Sequence, residues 1–141
     1  MQFLLLLVLC EMKENDIATI LVDACLTIHR ELGPGIFESI YEEILYTELM
    51  LAGIEVERQV PINVYWRGVK LDIGFRADLI IEKKVVVELK SVEHIIPVHK
   101  KQVMTYLKLT GLKLGLLFNF NSALMKDGIV RLVNGLEEGQ G

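Results

Sequence analysis

Two neighbouring apolar segments, FRADLII (75–81) and VVVELKSV (85–92), have the β-branched texture of buried strands, yet each carries an acid: Asp78 in the first and Glu88, closely followed by Lys90, in the second. Residues two apart in a strand share a face, so Glu88 and Lys90 point the same way and Leu89 the other. Burying an acid or an ammonium is unfavourable unless each finds a partner, which here means a metal, a substrate phosphate or one another. Between the segments lies the polar turn Glu82-Lys83-Lys84. If all three residues form the turn, Ile81 pairs with Val85 and Asp78 falls opposite Glu88; a two-residue turn slips the register and sends Asp78 to the far face unless a bulge restores it. Opposed carboxylates repel, and the usual reason to tolerate them is a divalent cation between them. On spacing alone, a plain Glu88–Lys90 ion pair at a solvent-facing strand edge explains the pattern equally well.

The surrounding chain supplies the rest of an α/β domain. Apolar residues at 17, 20, 21, 24, 25, 28 and 32 predict an amphipathic helix over 16–32, capped by Asn15 or Asp16 and stopped by Gly33-Pro34-Gly35. A second helix is expected over 37–52, ending at Gly53. Strand-like residues follow at 54–66, interrupted by Pro61, which suggests a bulge or break; Arg67-Gly68 reads as a turn into 69–81. Pro97 to Leu109 returns to helix with Gly111 as terminator, KLGLLFNF reads as a buried strand, and 128–133 as a last edge strand.

Oxygen ligands with no histidine or thiol set fit Mg²⁺ or Mn²⁺, and hence phosphate-ester hydrolysis, with Lys90 holding the attacking water or stabilising the transition state. Glu38 and Tyr41 lie three apart on the second helix and share a face; Glu38 serves either as a further carboxylate for the metal or as an acid favoured by the helix dipole, with Tyr41 as core filler. Gln102 and Tyr106 lie four apart on the third helix, where an amide positions a water or a phosphate with the tyrosine behind it, although such pairs are common on ordinary helices. His94, His99, Lys100 and Lys101 form the densest basic stretch, suited to a nucleic-acid backbone or simply to a solvated helix start.

The array Asp78-(x)9-Glu88-Leu-Lys90 resembles the motif of the PD-(D/E)XK nuclease superfamily, and Gly35-Ile-Phe-Glu38-Ser-Ile-Tyr41 is similar to the GxxExxY signature of one branch of it. The resemblance runs from about Met12 to Phe120. It implies a restriction-endonuclease-like αβββαβ core, a mixed central sheet flanked by helices with an extra N-terminal helix, and Glu38 approaching a metal held by Asp78 and Glu88. Gln102 and Tyr106 match the QxxxY element of exonuclease-like members. Ala77 stands where the name-giving proline would be, a mild departure because the metal needs the carboxylate.

Length and composition bound these readings. The 141 residues suffice for one core, expected over 12–136 with a flexible tail at 137–141. Only Cys10 and Cys25 occur, outside any zinc or disulfide pattern. The run MQFLLLLVL is half the length of a bilayer span and lacks the cations and cleavage site of a signal, so no membrane partner and a cytoplasmic location are expected, with translation beginning at Met12 and 1–11 an extension. A net charge of −4 requires any nucleic-acid contact to be local. The favoured reading is a Mg²⁺-dependent nuclease acting on DNA, with a homodimer suited to cutting two strands. Its alternatives are an inactive nuclease-fold module that binds nucleic acid or protein, and an interaction partner docking through its apolar N-terminus.

Overall fold

The computed structural model describes residues 11–137. The expected N-terminal extension and C-terminal tail fall outside them, apart from Glu11 and Glu137. Helix α1 (Glu14–Leu32) starts two residues earlier than expected: the Asp16 carboxylate, instead of capping from outside, reaches back one turn to the Lys13 N–H at 3.1 Å. Helix α2 (Glu38–Leu51) follows the Gly-Pro-Gly loop. The strands are β1 (Val56–Ile62), the two-residue pair β2 (Tyr65–Trp66) and β3 (Val69–Lys70), β4 (Phe75–Ile81) and β5 (Val85–Lys90). Then come α3 (Pro97–Thr110), β6 (Leu114–Asn119), a 3-10 turn (Met125–Gly128) and β7 (Ile129–Val133).

Five strands make one mixed sheet in the order β1-β4-β5-β6-β7, with β5 and β6 parallel and the other neighbours antiparallel. The path α2-β1-β4-β5-α3-β6 is the expected αβββαβ core, α1 the extra helix and β7 the expected edge strand. The α1/α2 layer covers one face, where Leu21, Leu45, Leu79, Val87 and Phe118 share a core; α3 covers the other, where Tyr106 and Leu107 meet Ile80 and Val86. Gly115 lets α3 sit close, since a Cβ there would meet the Val103 side chain at 2.5 Å.

Two local expectations are corrected. Residues 69–81 are not one strand: β2 and β3 form a separate small hairpin, and the chain enters the sheet only at Phe75. Pro61 breaks nothing; it pairs with Arg76 inside β1, an edge strand of the sheet and so a place where a missing N–H is tolerated. The distortion lies two residues earlier, at Gln59, whose φ is +49° and which makes no ladder pair with Asp78 although the register on either side is continuous. Both strands turn over there. Leu79 and Ile81 belong to the α1/α2 core and Ala77 to the α3 core, while across the ladder Val56 packs with the former and Val60 and Ile62 with the latter.

Candidate active site

The turn between β4 and β5 has three residues, with Ile81 paired to Val85 and Leu79 to Val87, as the favourable parity required. Glu82 and Lys83 take positive φ angles of 50° and 55° to close it, and Lys84 donates its N–H to the Ile81 carbonyl at 2.9 Å. The ladder stops at Leu79–Val87. One residue further the carboxylates take over the backbone bonding: Glu88 Oε1 accepts the Asp78 N–H at 2.9 Å and Asp78 Oδ2 accepts the Leu89 N–H at 2.9 Å. Splayed strands leave buried N–H groups in need of acceptors, and the two acids supply them. Each carboxylate thereby commits one oxygen, and the two side chains stand within hydrogen-bonding reach of each other.

Glu88 lies two along from Val86 on the α3 face, Lys90 two further, while Leu89 is buried in the α1/α2 core. Burial, then the Asp78 charge, pushes the Glu88 carboxyl up to about 8, the Lys90 charge opposing. Burial likewise raises Asp78, against the pull of the Leu89 N–H, the Glu88 carboxyl and Lys90. Two acids in one half-dry place hold a proton that an ordinary carboxylate would release near pH 4, the condition a divalent cation relieves. The donor set therefore fits a hard cation: a half-buried and a buried carboxylate within hydrogen-bonding reach of each other, whose raised pKa values the Lys90 charge opposes without cancelling.

On α3, Gln102 Nε2 donates to the Tyr106 hydroxyl at 2.7 Å, so the QxxxY pair is a bonded unit. Tyr106 is buried, and burial followed by the Glu88 charge raises its phenol to about 12, which places it beside the acids. Asp78, Glu88, Lys90, Gln102 and Tyr106 are thus brought together.

The other expected residues are placed differently. Tyr41 is no site residue. It stacks on Phe120 with ring centroids 4.2 Å apart, gives its hydroxyl hydrogen to the Gly33 carbonyl at 2.5 Å and accepts the Ile36 N–H at 3.2 Å, pinning the loop in which Gly35 needs its φ of +88°. Two of the three GxxExxY letters therefore serve the loop. Glu38 is exposed, and its Oε1 accepts the N–H of Ser91, the residue after Lys90, at 3.1 Å. Among the described residues no three acids, histidines or cysteines form a ready metal cluster, so Glu38 is not gathered with Asp78 and Glu88 as a third ligand. His99 accepts the Ile96 N–H on Nδ1 at 3.1 Å, capping α3 from inside, while His94, Lys100 and Lys101 are exposed.

One acid that continues the Glu38–Tyr41 face of the helix stands at the margin of the site without having been expected there. Glu42, one helical turn past Glu38, is 9% exposed, and its charge bears on Asp78. Gln59 Nε2 binds its Oε1 at 2.6 Å and Arg58 binds its Oε2 at 3.1 Å. The left-handed twist at Gln59 is what lets two successive β1 residues reach the same carboxylate. A signal was present: Glu42 interrupts the stripe Tyr41, Leu45, Leu49 as Glu88 interrupts its strand.

Residues 15–132 match the family model of the PD-(D/E)XK nuclease superfamily. The chain belongs to that superfamily. Among solved structures it is similar to a crystal structure of SSO0001, at 24% identity and a TM-score of 0.50, over 92% of this chain and 73% of that one. That likeness bears on the fold alone. No curated protein matches the chain.

Proposed function

We propose that this domain is a divalent-metal-dependent nuclease that hydrolyses phosphodiester bonds in DNA. The observation that carries the reading is the meeting of Asp78, Glu88 and Lys90 on one face, where the β4–β5 ladder gives way to side-chain bonding. Asp78 and Glu88 would hold Mg²⁺ or Mn²⁺, with Glu38 as an accessory carboxylate across Ser91. Such an ion acidifies a bound water and neutralises charge on phosphate oxygens. Lys90 brings its ammonium to the phosphate under attack and stabilises the charge that grows there. Gln102, steadied by Tyr106, offers its amide to a water or a non-bridging oxygen. The start of α3 carries Lys100 and Lys101 with no acid in its first turn, two cations near the positive end of a helix dipole beside the His99 and His94 rings, and a DNA phosphate there relieves the repulsion.

The reading is tested by incubating purified protein with single-stranded, duplex and branched DNA plus Mg²⁺ or Mn²⁺, beside Lys90→Ala. Metal-dependent cleavage lost in the variant supports it; cleavage that survives Lys90→Ala sinks it. One observation favours the alternative of an inactive nuclease-fold module: each acid already satisfies a backbone N–H and so has a structural use without a metal. Binding of DNA with no cleavage under any divalent ion would decide for that alternative.

A further inference from the structure

Between β1 and β4 the chain leaves the sheet to form the β2–β3 hairpin, which the catalytic reading does not use. Its tip, Arg67-Gly68, has φ angles of +49° and +78°, the mirror-image turn in which asparagine or glycine is the relaxed choice at the first position. An arginine there is held against its preference, and its guanidinium lies over the Trp66 ring, 5.4 Å from the centroid. Trp66 is 65% exposed and Tyr65, on the opposite face of the same strand, 60%. Lys70 stands across from Tyr65, and at the root of the hairpin an open cavity of about 440 Å³ is lined by Lys70, Phe75 and Arg76. Residues 63–76 hold three cations and one acid in a chain of net charge −4.

Exposed rings flanked by cations suit one chemistry above others, an unpaired nucleobase with its phosphates. A second copy of the chain is the poorer fit, because a two-fold contact through this surface would set its cations against themselves. The arm also leads to the acids: Phe75 touches the Tyr106 ring at 5.7 Å between centroids, and Asp78 lies three residues further along β4. We infer that the β2–β3 hairpin is a substrate arm that stacks an unpaired base on Trp66 while Arg67 and Lys70 take its phosphates, so that the nuclease acts on DNA with a single-stranded portion. The inference rests on the nuclease reading for the identity of the substrate.

Trp66 is the sole tryptophan, so intrinsic fluorescence reports on this ring directly. The probe is an end-labelled twelve-residue oligothymidylate, titrated in EDTA so that no cleavage intervenes, with a blunt duplex of equal length for comparison. Expected are quenching of Trp66 emission by the single strand and not by the duplex, about tenfold or greater weakening in Trp66→Ala, and a few-fold weakening in Arg67→Asn with a salt slope lower by about one. Arg67→Asn suits the turn better than the native residue, so its loss of affinity cannot be misfolding. Single-strand binding that leaves Trp66 emission unchanged overturns the inference, as does equal quenching by the duplex. A solution dimer abolished by Trp66→Ala also overturns it. Quenching without cleavage in Mg²⁺ would leave the arm standing and refute the nuclease; cleavage without quenching would do the reverse.

Discussion

The β4–β5 hairpin has two ends, built from the same strands and held together differently. At the turn end, Leu79, Ile81, Val85 and Val87 are dry, paired residue for residue and packed under α1 and α2. At the other end the strands part, and Asp78 and Glu88 replace the ladder with bonds from their side chains to the backbone. Stability at the first end comes from apolar burial and is indifferent to pH and ions. Stability at the second depends on charge, because two acids share a place with Lys90 as the nearby cation acting on both. One half of the hairpin is scaffold, and the other carries strain that a bound cation would relieve.

The largest effect should come from the open end. Asp78→Asn and Lys90→Ala should each lower metal-dependent DNA cleavage by about 10²–10⁴-fold, measured as initial rates on labelled DNA, and retained activity in both would erase the functional contrast between the ends. At the turn end, Leu79→Ala should cost about 2–4 kcal/mol of unfolding free energy by urea titration. The stabilisation produced by adding Mg²⁺ should stay unchanged in that variant.

Glu88 sharpens the contrast through pH. Its folded-state carboxyl is raised from 4.5 to about 8, so between those values the folded protein holds a proton that the unfolded chain releases. The Glu88 contribution to stability without divalent ions should therefore be fully present below pH 4.5, decline as pH climbs toward 8, and level off above. Glu88→Gln keeps the acceptor for the Asp78 N–H and should flatten that decline, raise the melting temperature at pH 8 by about 3–8 °C, and abolish stabilisation by Mg²⁺. A melting temperature independent of pH in the parent would remove the distinction. The smallest effect expected is Tyr106→Phe, which takes the hydroxyl from Gln102 at a cost of about 1 kcal/mol and should slow cleavage only a few-fold.

Much of this was legible in the chain itself. The helices, most of the strands and the shared face of Glu88 and Lys90 follow from short-range periodicity. The Gln102–Tyr106 pair is of the same kind, one turn on one helix. The chain left the turn at 82–84 open between two and three residues, and the paired register of Ile81 with Val85 decided that Asp78 stands opposite Glu88. Tertiary structure decided what involves distant partners. Tyr41 became a loop pin because Phe120, from the far end of the chain, stacks on it. Glu42 joined the margin of the site because β1 brings Arg58 and Gln59 against α2. Both strands turn over at Gln59 and Asp78 together, which separates the dry half of the hairpin from the charged half. A local pattern specifies which face a side chain takes within its own element; what stands opposite that face is decided when the sheet closes and the helices pack.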